Sequence, residues 1–168
     1  NVLSLRMQAA ITEALDQAMA DRAAVVLAGR TGVFSAGFDL GTLRTGGADG
    51  LAMGRGGFAL AARVLSFPFP VVAACTGHAI AMGAFLSCSF DHRIAAPGYN
   101  FQANEVAIGM VLPYPALEVM RLRLTPSAYQ QAAGLAKVFF GETALAAGWV
   151  DEIDLPHIAI RDAHIGIV

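Results

Sequence analysis

Charge is what this sequence has least of: 14% of its 168 residues are Asp, Glu, Lys or Arg, against 56% hydrophobic ones. The formal net charge is −2 and the pI near 6.1, with no basic cluster, so no nucleic-acid partner is expected; such a partner calls for a stripe of Lys and Arg. Long apolar runs are also missing. Mean hydropathy is high at +0.57, yet Val71–Ala74 and Ala79–Leu86 fall far short of the roughly 20 residues that span a bilayer, so no membrane is expected. The opening N-V-L-S-L-R-M has neither the basic start nor the long apolar stretch of a signal peptide. Cysteine is scarce, and Cys75 and Cys88 lack metal-ligand spacing in their apolar surroundings, which fits reduced core thiols in a cytoplasmic protein without a bound metal. An apolar excess that serves no membrane is read as a large single-domain core and a surface covered by further copies of the chain.

What is present centres on Thr76–Pro113. The buried strand Val71–Cys75 runs into Thr76-Gly77 and then into a small-residue segment that opens a helix near Gly83, where unpaired backbone N–H groups suit a developing negative charge. Further on, Asn104-Glu105 places one carboxylate ahead of the apolar run Val106–Pro113, an arrangement suited to acid/base chemistry beside a carbonyl. Ahead of this stretch, Ser4 caps a helix to about Met19, with Ile11, Leu15 and Met19 on one face, and Ala24–Ala28 reads as a buried parallel strand. Gly41–Gly57 reads as a mobile glycine-rich loop before a helix at about Phe58–Leu65; Gly54, Gly56 and Gly57 follow no strand and lack a phosphate loop's Lys-Ser/Thr ending. Beyond the centre, helices are expected over Ala116–Arg123 and from a Thr125-Pro126 start; Phe140-Gly141-Glu142 turns the chain into Thr143–Ala147, and Gly148–Ile153 closes as turn and strand. Successive strand-then-helix units indicate an α/β fold with parallel strands.

Four segments in order, Phe34-Ser35-Ala36-Gly37-Phe38-Asp39-Leu40, Gly77-His78-Ala79-Ile80-Ala81-Met82-Gly83, Asn104-Glu105 and Ala147-Gly148-Trp149-Val150-Asp151-Glu152, carry a resemblance to the enoyl-CoA hydratase/isomerase, or crotonase, family over about residues 1–153. The resemblance implies a spiral of ββα units, assembled as a homotrimer or hexamer and acting on acyl-CoA thioesters, with coenzyme A entering as part of the substrate and no separate cofactor. It implies that Ala36 and Met82 supply two backbone N–H groups to the thioester oxygen. It implies further that Ser35, Gly37, Phe38, Asp39 and Leu40 line the CoA site, with Gly83 and Phe85 beside the substrate. Family hydratases use two glutamates; here the second matches Glu105 and the first falls on Phe85, which resembles the single-glutamate pattern of Δ3,Δ2-enoyl-CoA isomerases. That favours isomerase over 2-enoyl-CoA hydratase, with a non-catalytic acyl-CoA-binding member as the further alternative. A serine peptidase of the same spiral fold is disfavoured because its nucleophile would fall on Ala81. His157–Val168 resembles the strand hairpin that the family carries ahead of the segment matched by Asn1–Ser4. The expectation is therefore a core over 1–153, a displaced hairpin over 154–168 pairing with it, and no counterpart of the family's C-terminal helical region.

Blander roles fall to other residues. His78 is read as a packed structural residue, Asp39 as shaping its turn, Glu118 as a surface position, and Asp91 and Arg93 as holding the end of the central helix. Met53, Met82, Met110 and Met120 fit either an acyl tunnel or ordinary core.

Overall fold

A computed structural model describes residues 1–154 of the chain; the hairpin expected over 154–168 lies almost wholly outside them. Helix α1 (Leu5–Asp21) begins where Ser4 Oγ accepts from the Met7 N–H at 3.3 Å. Ile11 and Leu15 are buried as their spacing requires, but Met19 is 41% exposed, because the covered face of α1 stops one turn short of it. The chain then alternates between two four-stranded sheets. Strands β1 (Val25–Ala28), β3 (Val71–Cys75), β5 (His92–Ala95) and β8 (Glu152–Ile153) form one in that order, and β2 (Gly32–Ser35), β4 (Gly77–Ile80), β6 (Asn100–Gln102) and β7 (Phe139–Phe140) form the other. All neighbours are parallel except β6 and β7. Each step places one strand in each sheet and returns through helix: α2 (Leu40–Thr45) and α3 (Gly47–Leu65), then α4 (Met82–Ser87), then α5 (Tyr114–Arg123) and α6 (Pro126–Leu135). α7 (Gly141–Ala147) leads into β8. This is the expected α/β spiral of ββα units.

Three expectations change. Strands β2 and β4 go beyond the expected elements, each being four residues long and opening on a glycine; their pairing needs Gly77, where a Cβ would overlap the Val33 backbone. Gly41–Gly57 is helical rather than a mobile loop. Asp39 Oδ1 caps α2, accepting from the N–H groups of Gly41 (2.8 Å) and Thr42 (3.2 Å), and the α3 glycines provide space: a Cβ on Gly57 would overlap the Phe38 ring. Asp91 and Arg93 tie strands together rather than a helix end. Asp91 Oδ2 accepts from Val71 N–H at 2.8 Å, whereas the end of α4 is held by Arg123, which donates to the carbonyls of Cys88 (3.0 Å) and Phe90 (2.6 Å).

The core runs between the sheets and helices, with Trp149, Phe85, Phe90 and Phe101 almost fully buried. Within it lies Arg93, 2% exposed, whose guanidinium donates to both Asp151 oxygens (2.8 and 2.6 Å) and to the Gly148 carbonyl (2.7 Å). This clamp secures β8, whose ladder to β5 is two residues long. Among the described residues no helix is long and apolar enough to cross a membrane.

Burial pushes the Asp151 carboxyl up, but hydrogen bonds and charge from Arg93, with His92 adding, outweigh it and hold the group below its ordinary value. A depressed carboxylate contributes stability that is present above its unfolded value, about 3.9, and is lost as pH falls through the lower folded value. Asp151→Ala, which leaves a buried guanidinium unpaired, is expected to lower unfolding free energy by about 3 kcal/mol in urea titrations at pH 7. The gap between wild type and variant is expected to shrink below about pH 4, where the unfolded carboxylate also protonates. Gly77→Ala is expected to cost at least as much, through loss of the β2–β4 pairing, measured by the same titration.

Candidate active site

Strands β2, β4 and β6 are adjacent and parallel, so the loops leaving their carboxyl ends meet on one edge of the sheet, the side where open α/β sheets hold ligands. Those loops are Ala36–Asp39, Ala81-Met82 and Ala103–Glu105. Ile80 pairs with Gln102, and Ala81 N–H donates to the Gln102 carbonyl at 2.9 Å, which levels the ends of β4 and β6. Gly37 lies directly against the β4 turn. Its φ is +83°, and a Cβ there would stand 3.0 Å from the Ile80 carbonyl oxygen and 3.1 Å from Met82 N, so residue 37 needs glycine for conformation and for space.

The N–H of Met82, at the first position of α4, has no acceptor among the described residues, while Ala84 and Phe85 both donate to the Ala81 carbonyl. Ala81 takes φ 52°, ψ −127°, a conformation that a residue with a side chain adopts only under constraint, and this swings the Met82 N–H out of the ladder. Ala36 does not match its expected role, because its N–H is spent on the Asn1 carbonyl at 2.9 Å. Gly37 N–H donates to Ser35 Oγ at 3.2 Å. Within Ala36–Asp39 the N–H groups without an acceptor among the described residues are those of Phe38 and Asp39, and Phe38 is the one that directly follows the Gly37 turn packed against Met82 N. Sequence reasoning missed it because the choice between residues 36 and 38 depends on a hydrogen bond to a segment more than thirty positions away. The Phe38 ring is seated on α3, edge-on to Phe58 at 6.3 Å.

The remaining sequence-selected positions divide by depth. Ser35 (6% exposed), Met82 (1%) and Phe85 (1%) are buried, and Gly83 makes room for Ser35, which a Cβ at 83 would overlap. Asp39 is occupied in capping α2, and Leu40 is 51% exposed at the start of that helix.

Glu105 stands past the end of β6, before a 3-10 turn at Val106–Ile108. Its carbonyl anchors that turn, accepting from the N–H groups of Ile108 (3.1 Å) and Met110 (2.8 Å), so the backbone beneath the carboxylate is fixed. The residue is 7% exposed and Oε2 has no partner among the described residues. Burial raises its pKa, opposed by its own backbone N–H. The arrangement places a dry carboxylate at the same sheet edge as N–H groups that have no acceptor among the described residues, a set able to move a proton beside a carbonyl whose oxygen gains charge.

Other polar residues fall outside this chemistry. His78 Nδ1 accepts from Asn100 N–H at 3.0 Å, and Glu118 pairs with Arg121 at 3.6 Å on the surface of α5. Cys75 and Cys88 are free and buried; burial pushes both thiols up, that of Cys88 to about 12, so neither is a thiolate nucleophile at neutral pH. Met53, Met82 and Met120 are core, and Met110 is 44% exposed.

The chain is similar to known proteins in both sequence and fold. A crystal structure of an enoyl-CoA hydratase (ECHA3) from Mycobacterium marinum is 64% identical and superposes with a TM-score of 0.91 over 96% of this chain and 71% of that one. The apo structure of the Mtb enoyl-CoA isomerase is 60% identical, with a TM-score of 0.92 over 97% and 72% of the two chains. The Mycobacterium avium protein named "Probable enoyl-CoA hydratase echA17" is 33% identical over 159 residues, 93% of this chain and 62% of its own length, so the chain spans less than two thirds of that curated relative. Residues 1–167 match the enoyl-CoA hydratase/isomerase profile, and with these relatives the match places the chain in the enoyl-CoA hydratase/isomerase family.

Proposed function

We propose that this chain is the core of a Δ3,Δ2-enoyl-CoA isomerase, an enzyme of acyl-CoA thioesters in fatty-acid metabolism. In this reading the thioester oxygen lies between the N–H groups of Phe38 and Met82, with Phe38 replacing Ala36 as the first donor. Glu105 removes a proton from C2, and the electron pair passes into the thioester to form an enolate that the two N–H groups stabilise. Glu105 then returns the proton at C4, moving the double bond from C3–C4 to C2–C3. The loop Ser35–Leu40 lines the CoA site largely through its backbone. The exposed apolar side chains of Val106, Ile108, Val111 and Tyr114 support a trimeric or hexameric assembly that covers the site.

The observation that carries this reading is that Glu105 is the one carboxylate buried among the described residues. A 1,3-proton shift needs a single base, whereas adding water across a double bond needs a group to activate the water as well. By the resemblance, Phe85, at 1% exposure, falls where family hydratases carry the first glutamate, the one that activates water. Hydration of 2-enoyl-CoA is the second reading, favoured by the name of the 64%-identical M. marinum protein; it uses the same enolate and the same Glu105.

Purified protein given a 3-enoyl-CoA is expected to generate the absorbance of the conjugated 2-enoyl thioester. Glu105→Gln is expected to lower kcat by about 10²- to 10⁴-fold while retaining acyl-CoA binding. Loss of 2-enoyl absorbance through conversion to 3-hydroxyacyl-CoA, without isomerisation, would replace the isomerase reading with the hydratase one. Because Glu105 acts as a base only when ionised and burial raises its pKa, kcat/KM is expected to climb with pH through a midpoint above the ordinary glutamate value of about 4.3. A midpoint at or below that value would remove the dry-carboxylate argument.

A further inference from the structure

The Phe38 N–H belongs to a peptide whose opposite face is held from outside the site. The Gly37–Phe38 peptide is trans, so its carbonyl and its N–H point to opposite sides. The Gly37 carbonyl accepts from Leu3 N–H at 2.7 Å, and fixing that oxygen fixes the direction of the Phe38 N–H. Leu3 is 2% exposed, and its own carbonyl accepts from Gln8 Nε2 at 3.1 Å. The same amide nitrogen donates to the Met53 carbonyl, inside α3, at 2.9 Å.

Gln8 is an unusual residue for its place. It is 6% exposed on the core face of α1, where Ile11 and Leu15 are its buried companions, and a buried amide is tolerated only while its hydrogen bonds are made. Two consecutive glycines of α3 make the space: a Cβ on Gly56 would overlap Gln8 Oε1, and one on Gly57 would overlap the Phe38 ring and lie 3.6 Å from Gln8 Nε2. The Gln8 amide and the Phe38 ring therefore sit side by side on one turn of α3. Backbone and side chain of residue 38 are both referred to the same contact.

We infer that Gln8 is a positioning residue for the oxyanion donor: acting through Leu3, its amide sets the direction of the Phe38 N–H. This rests on the reading of Phe38 as a donor to the acyl oxygen. Stabilisation of a developing oxyanion depends on donors already aimed at it, so a tilt in this peptide weakens the transition state while leaving the binding of the CoA portion in place.

The test compares Gln8→Met, which keeps length and bulk but removes both donated bonds, with Ser4→Ala, which removes the cap of α1 and leaves the Gln8 and Leu3 bonds intact. Gln8→Met is expected to lower kcat by about 10- to 100-fold with KM changed less than about twofold. Ser4→Ala is expected to lower Tm with kcat at the wild-type level. A conjugated dienoyl-CoA, whose absorption moves to longer wavelength when its carbonyl is polarised, gives a readout that needs no turnover. The shift is expected on wild type and on Ser4→Ala, and to be diminished on Gln8→Met at saturation. A Gln8→Met protein with wild-type kcat and a wild-type shift overturns the inference, as does a Ser4→Ala protein that loses activity in proportion to stability. If wild type shifts the dienoyl-CoA spectrum but does not isomerise 3-enoyl-CoA, the isomerase reading falls and the spectral comparison still decides the role of Gln8.

Discussion

Three short parallel strands, β2, β4 and β6, lying side by side with their carboxyl ends level, are the constraint from which the rest of the site follows. None is long enough to be stable alone, and the β2–β4 approach is so close that position 77 carries no side chain. Once the ladder forms, three loops distant in sequence are brought to one edge. The positive φ at Gly37 and at Ala81 then turns backbone away from the sheet, leaving N–H groups of Phe38 and Met82 without partners among the described residues. The helices α2 and α3 keep that edge in shape, through the Asp39 cap and the seat for the Phe38 ring.

The two sheets handle buried charge in opposite ways. In the β1-β3-β5-β8 sheet Arg93 is enclosed, but each of its three guanidinium nitrogens meets an oxygen, and its partner Asp151 becomes more acidic as a result. At the edge of the other sheet Glu105 is enclosed with one carboxylate oxygen unpaired, and becomes less acidic. The same low polarity thus strengthens a contact in one place and sharpens a base in the other. The first arrangement stabilises the fold. The second lowers stability and, in the function proposed, provides reactivity; the turn beneath Glu105 is anchored by two bonds to its carbonyl.

Much of this was legible in the residues. The Ser4 cap, the Val71–Cys75 strand, the Thr125-Pro126 helix start and the lone carboxylate at 105 are each signalled by local chemistry that tertiary structure had no reason to overrule. What escaped were features whose local signal points the wrong way. Four-residue strands that open on glycine, Gly32–Ser35 and Gly77–Ile80, are too short to announce themselves, and a helix carrying Gly54, Gly56 and Gly57 looks like a loop until the groups packed on those glycines are known. The choice of oxyanion donor was illegible for another reason: Ala36 and Phe38 are both plausible in a turn, and only the bond from Ala36 to Asn1 separates them.

The donors proposed for this site are peptide groups, and that limits what substitution can report. Every amino acid except proline carries an N–H, so replacing Phe38 or Met82 by alanine leaves the donor present and changes only what packs behind it. A mutational scan across residues 35–40 would register the ring seated on α3 and the cap on α2, and would pass over the atom closest to the chemistry. Detecting that atom requires altering the backbone itself, with an ester linkage in place of the Gly37–Phe38 amide, so that the side chain stays and the hydrogen alone is removed.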